Sequence, residues 1–178
     1  DPEPVGWLLA AVVAVLTGLR HTTLYDQLKN VYVRNTEPTP RDCDDLDEVK
    51  REWDERRNSG AVSLVQRVSM PMLLAHLTLA ARTIKWVDAN IPSRFADMPA
   101  YSPARAERFK ALHYGLMRVW ANFGIGTHIF ALALCAAVDH LEVYIALRLV
   151  GFNGLLLALL PLQRRASKAF FKDPDGDR

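Results

Sequence analysis

The stretch Val119–Val138 reads Val-Trp-Ala-Asn-Phe-Gly-Ile-Gly-Thr-His-Ile-Phe-Ala-Leu-Ala-Leu-Cys-Ala-Ala-Val, and its twenty residues include no Lys, Arg, Asp or Glu. A helix rises about 1.5 Å per residue, so this stretch would form a helix about 30 Å long, which matches the hydrocarbon core of a bilayer. A soluble helix of that length normally carries charged residues along one face. The stretch therefore predicts an all-α, polytopic membrane bundle.

The composition of the whole chain supports this class. Of its 178 residues, 50% are hydrophobic and 24% are charged, and the two kinds are segregated along the chain. Charged residues concentrate in 20–67, 82–118 and 164–178, and apolar residues fill the segments between them. The net charge is only +2, so no strong basic field predicts a nucleic-acid partner.

Four apolar segments predict four spanning helices, near residues 5–20, 62–86, 116–138 and 142–163. The first two segments are short for spanning, which leaves two alternatives open: two or three spans with helices on the membrane surface, or a soluble helical domain. Only Asp139, His140, Leu141 and Glu142 separate the last two segments. We therefore expect these two helices to form an antiparallel hairpin.

The charges of the connecting segments predict the orientation in the membrane. The Pro-containing loop 87–115 and the tail 164–178 are basic, so both should lie on the cytoplasm-like side. The loop 21–61 is acidic, contains a predicted helix over 44–57, and falls on the outer side. Both termini are then expected on the same, inner side. We expect the membrane to be a bacterial inner membrane or the inner membrane of an organelle.

Two histidines near the centres of predicted spans are the candidate cofactor ligands. His76 and His128 would lie at similar depth if their helices are antiparallel, as a bis-histidine b-type haem requires. Gly124 would leave room for a flat macrocycle. The arginines available to its propionates are Arg67, Arg82 and Arg118. A chlorophyll-type pigment needs only one of the histidines. The simpler alternative is that each histidine bonds a neighbouring helix.

The fourth segment contains the most costly residue of the predicted membrane region. Arg148 is a charged residue within an apolar run, where it can line an anion or quinone cavity, meet an acid on a partner, or extend to the head groups. Gly151 and Gly154 follow it and predict close helix packing.

The two cysteines allow one long-range link. Cys43 lies in the acidic loop and Cys135 near the outer end of the third predicted span. They would form a disulfide if the outer space is oxidising and the sulfur atoms meet; otherwise both are free thiols. Their spacing is not that of a metal site.

These features favour a protein without catalytic activity. The sequence contains no nucleophile–base pair, phosphate loop or HExxH motif. We expect an accessory subunit of a larger, energy-transducing membrane complex, with other membrane subunits and bound lipids as partners. The alternatives are a small electron-transfer subunit associated with haem b or quinone, and an oligomeric channel or transporter.

Overall fold

The computed structural model describes residues 4–39, 46–60, 62–92 and 97–172. Within these ranges the chain is an all-α bundle without strands. Three helices are long and apolar enough to cross a membrane, or four if the bent pair Pro103–Phe123 and Ile125–Ala137 counts as one span. The helices are α1 (Pro4–Thr36), α2 (Leu46–Asn58), α3 (Leu64–Val87), α4 (Pro103–Trp120), α5 (Ile125–Ala137), α6 (Leu141–Ala146) and α7 (Asn153–Phe171).

Two segments join these helices without leaving the helical path. A 3-10 turn, Ala121–Phe123, connects α4 to α5, and the chain bends by 45° there. A π-helical segment, Leu147–Phe152, connects α6 to α7. An asparagine side chain donates to a backbone carbonyl at each of these breaks. Asn122 Nδ2 donates to the Val119 carbonyl at 2.9 Å, and Asn153 Nδ2 donates to the Leu149 carbonyl at 2.9 Å.

The predicted hairpin between the third and fourth apolar segments is present as α5, a tight turn and α6. Asp139 has φ 57°, the left-handed conformation that ends many helices. His140 N donates to the Cys135 carbonyl at 2.9 Å, and Asp139 N donates to the Ala136 carbonyl at 3.2 Å. These two bonds form a Schellman motif, which reverses the chain direction.

The core lies between α1, α4 and α7, with α1 antiparallel to α4–α5 and parallel to α6–α7. Tyr32 of α1 contacts Phe109 near the start of α4. His21 of α1 contacts Phe123, in the 3-10 turn that follows α4. Phe109 in turn packs edge-on against Phe170, near the end of α7. The start of α1 therefore lies beside the α5–α6 turn, and the end of α7 lies beside the end of α1. This differs from the expectation that both termini share a side: α1 pairs directly with α4–α5, so the described chain ends lie at opposite ends of this bundle.

The first helix is much longer than predicted. We expected it to stop at residue 20 and to give way to a loop over 21–61, whereas α1 continues to Thr36. The reason is an amphipathic continuation: Leu24, Leu28 and Val31 recur at helical spacing and are buried in the core. The prediction ended the helix at the first charged residue and missed this apolar face.

The remaining boundaries follow recognisable end signals. Ser102 caps α4 and Pro103 occupies its first turn, so the expected loop 87–115 is helical from Pro103 onward. The expected tail 164–178 is helical as far as Phe171. Ser63 caps α3 through a capping box with Gln66. Cys135 is half-buried and forms no disulfide with another described residue. Cys43 lies outside the described residues, so the proposed disulfide stays a prediction.

Candidate functional site

The most unusual feature of the bundle is a buried arginine in the middle of an apolar helix. Arg148 lies in the π-helical segment and is only 6% exposed. Its guanidinium lies directly against Gly18 of α1, where a Cβ atom would collide with it. Glycine at this position therefore allows the arginine to pass between the two helices. Single π-helical turns inside α-helices are frequent at functional sites.

Two buried histidines lie close to this arginine. His21 of α1 is 2% exposed and His128 of α5 is 5% exposed, and the Arg148 charge acts electrostatically on both rings. Phe152 packs against both imidazoles, with ring centroids 6.4 Å from His21 and 4.5 Å from His128. We name His21, His128 and Arg148 the cationic cluster.

The cationic cluster contains several polar atoms that lack hydrogen bonds. Nδ1 of His21, both ring nitrogens of His128 and Nη1 of Arg148 are buried without a partner in the described part of the chain. Buried polar groups are normally satisfied, and each exception needs an explanation. The Arg148 guanidinium also lies near the Tyr144 ring, whose centroid is 5.9 Å from Cζ. No acidic side chain of the described ranges pairs with this arginine.

Cavities lie on both sides of the cluster. One has a volume of about 290 Å³ and runs between α1, α5 and α6 toward Arg148. We name it the arginine groove; its lining residues are Ala11, Ala14, Val15, Leu132, Leu141, Tyr144, Ile145 and Arg148. The other measures about 220 Å³ and reaches His21 and Asn153 from the side of α3.

The structure does not bring the predicted haem ligands together. His76 lies on an exposed face of α3, whereas His128 is buried against Phe152. The helix α3 packs mainly against α1 and α2, and α5 packs against α6 and the 3-10 turn.

The other predicted site residues also have different surroundings from those expected. Gly124 caps α5, and a Cβ there would lie 3.3 Å from the Tyr25 ring, so it opens no slot for a macrocycle. Gly151 and Gly154 both face outward, away from the core. The three predicted propionate partners are exposed: Arg67, Arg82 and Arg118.

A second buried polar network ties α4 to α7. Trp120 Nε1 donates to Gln163 Oε1 at 3.1 Å, and Gln163 Nε2 donates to Ser167 Oγ at 3.1 Å. His113 Nε2 lies 3.4 Å from the same hydroxyl. This places a hydroxyl beside an imidazole, as in a nucleophile–base pair. Ser167 is fully buried, however, and its oxygen already accepts from Gln163. We therefore assign this network to helix packing.

These observations define the class: a helical bundle whose longest apolar helices suit a membrane. Comparison with known proteins adds no family, because no family model, curated protein or solved structure matches the chain. Within the described residues there is also no group of three or more His, Cys, Asp or Glu side chains that could hold a metal ion.

Proposed function

We propose that the chain is a non-catalytic, structural subunit of a larger membrane assembly, and that an energy-transducing complex of a bacterial or organellar inner membrane is its setting. The observation that carries the proposal is the position of His76. This residue lies at the middle of the 24-residue helix α3, and its side chain points out of the bundle.

An exposed imidazole at this depth is costly if lipid surrounds it. Polar side chains within membrane-spanning helices almost always face a protein interior or a water-filled cavity, because hydrocarbon offers no hydrogen-bond partner. The His76 ring makes no hydrogen bond within the described part of the chain. A neighbouring subunit that packs on this face of α3 would supply one, as polar side chains do between membrane helices.

The outward glycines of α7 and the π-helical segment support the same proposal. Gly151 and Gly154 are exposed, and a Cβ added at residue 154 meets no atom within 4 Å. Small residues on an outer face let another helix approach closely. The exposed apolar residues of α1 and α3 suit lipid and protein equally well, so they do not distinguish the two.

The test is the assembly state of the chain extracted from its native membrane in a mild detergent. We expect it to migrate with other subunits in native electrophoresis, well above its 20.0 kDa mass. His76→Leu should weaken this association. The matched control is Met72→Leu, one helical turn away at an exposed apolar position, which should leave the association intact.

A photoreactive amino acid at position 76 identifies what covers this face. Cross-linking to another protein is the expected result. Wild-type chain that runs as a monomer and cross-links only to lipid would refute the proposal. Co-expression of two differently tagged copies separates a mixed complex from self-association, because only self-association recovers both tags together.

A further inference from the structure

We propose that the arginine groove binds a lipophilic anion: a long-chain carboxylate whose head group meets Arg148 and whose acyl chain lies between α1, α5 and α6. This site is separate from the His76 face of α3. The proposal therefore does not depend on whether the chain is a subunit of an assembly. Three properties carry the proposal, namely an unbalanced buried charge, an unsatisfied donor, and an apolar groove that ends at the charge.

The first property is the charge of Arg148. Guanidinium groups stay protonated in proteins, so burial does not remove this charge. Within the described part of the chain its guanidinium makes one cation–π contact, with the Tyr144 ring at 5.9 Å, and a contact of this kind is weaker than pairing with an anion. Burying an ion without a counter-charge is unfavourable. An anion in the groove would balance the charge, whereas a neutral ligand would not.

The second property is the unsatisfied hydrogen-bond donor of Arg148. Nη1 of Arg148 is a buried donor without a partner among the described residues. Arg148 lines the groove, whereas His21 and His128 are not among its lining residues. A carboxylate has two oxygens that each accept more than one hydrogen bond. A carboxylate head group in the groove would therefore supply the acceptor that Nη1 lacks.

The third property is the shape of the groove. Its volume of about 290 Å³ is near the lower end of the range of ligand pockets, about 300–1,000 Å³. Its walls are aliphatic except at Tyr144 and Arg148. Val15, Leu132 and Leu141 of the lining are exposed at the bundle surface, so the groove opens sideways toward the surroundings of these helices. A hydrocarbon chain can enter from a bilayer along this path.

The depth of the arginine favours a single-chain acid over a phospholipid. Arg148 lies seven residues after Leu141, the first residue of α6, or about 10 Å along the helix. A phospholipid phosphate carries a glycerol and two chains, and drawing it to this depth would pull the head group away from water. A fatty acid moves its carboxylate at a smaller desolvation cost.

The experiment measures binding of radiolabelled oleate to the purified chain in nanodiscs of zwitterionic phosphatidylcholine. We expect saturable binding by the wild-type protein. Arg148→Gln should weaken it about tenfold to hundredfold, as expected when a hydrogen-bonded charge is removed. Arg118→Gln removes an exposed arginine and is the matched control, which should bind as the wild type does.

Two further variants keep the test valid if Arg148→Gln fails to fold. Gly18→Ala places a Cβ where the guanidinium lies and should displace the head-group contact. Leu132→Trp fills the apolar wall without altering any charge and should block the chain. Each variant is used only where its helical circular dichroism matches the wild type, and both should lose oleate binding.

Specific results would overturn the proposal. Non-saturable oleate binding would do so, as would equal oleate affinity of the Arg118→Gln variant and a folded Arg148→Gln variant. Binding of oleyl alcohol, which lacks the charge, as tightly as oleate would also do so. Stronger competition by phosphatidylglycerol than by unlabelled oleate would assign the site to a phospholipid instead. A cross-link between position 148 and an acidic residue of a co-purifying subunit would assign the counter-charge to a protein partner.

Discussion

Replacement of Gln163 by leucine should destabilise the bundle by about 2–3 kcal/mol. Gln163 is 2% exposed and joins α7 to α4, because its Oε1 accepts from Trp120 Nε1 at 3.1 Å. Its Nε2 also donates to Ser167 Oγ on the same helix, at 3.1 Å. Leucine has a similar volume, so the loss of packing is small. The main cost is the fully buried Trp120 N–H left without an acceptor, which is worth about 1–3 kcal/mol. The lost bond to Ser167, which lies on α7 like Gln163, adds a smaller amount, about 0.5 kcal/mol.

A double-mutant cycle with Trp120→Phe isolates this contribution. Phenylalanine has no N–H, so Gln163→Leu in that background leaves no unsatisfied donor. The double variant should therefore lose less stability than the sum of the two single variants, by about 1 kcal/mol or more. Unfolding is measured by titration with a denaturing detergent in mixed micelles, followed by circular dichroism.

The control for this cycle is Trp86→Phe, at a tryptophan that is 64% exposed, where the change should stay within about 0.5 kcal/mol. Strict additivity of Gln163→Leu and Trp120→Phe would refute the reasoning, because it would mean that the two buried side chains do not share an interaction. A destabilisation by Gln163→Leu no larger than that of the control would refute it as well.

Two further changes test local features of the helices. Ser63→Ala removes the acceptor of the α3 capping box, where Gln66 N donates to Ser63 Oγ at 3.2 Å. The change should lower the free energy of unfolding by about 1 kcal/mol and speed amide hydrogen exchange in the first turn of α3. Unchanged exchange there would contradict the cap. Gly154→Ala adds a methyl group in open space and should stabilise the isolated chain against thermal unfolding by about 0.5–1 kcal/mol. A lower melting temperature would show that another side chain of the bundle occupies that space.

The sequence predicted helices best where end signals and apolar runs coincide. The second predicted span was expected over 62–86, and α3 spans Leu64–Val87. The prediction was weaker where a span continues as an amphipathic helix. Arg20 ended the first predicted span, although the buried face of α1 runs on to Val31.

The candidate site was predicted only in part. Arg148 was singled out because a charge inside an apolar run is costly, and its burial agrees with that reasoning. The predicted pairing of His76 with His128 rested on their similar depth in the membrane, and depth does not determine which faces of two helices meet. His21, rather than His76, lies close to Arg148 together with His128. The spacing of Gly18 and His21, three residues apart on one face of α1, was the available signal.

The burial of Arg148 excludes one of the three roles that its position in the sequence allows. An arginine six or seven residues into a membrane helix can reach the head groups by extending along the surface, and its guanidinium would then be exposed. Here the side chain turns inward, crosses to α1 at the one position where a glycine leaves room, and is 6% exposed. Extension to the head groups is therefore not the role of this residue. The remaining roles are to line an anion or quinone cavity and to meet an acid on a partner. Only an anion would balance the buried charge, and the oleate experiment separates an anion bound from the membrane from one carried by a partner.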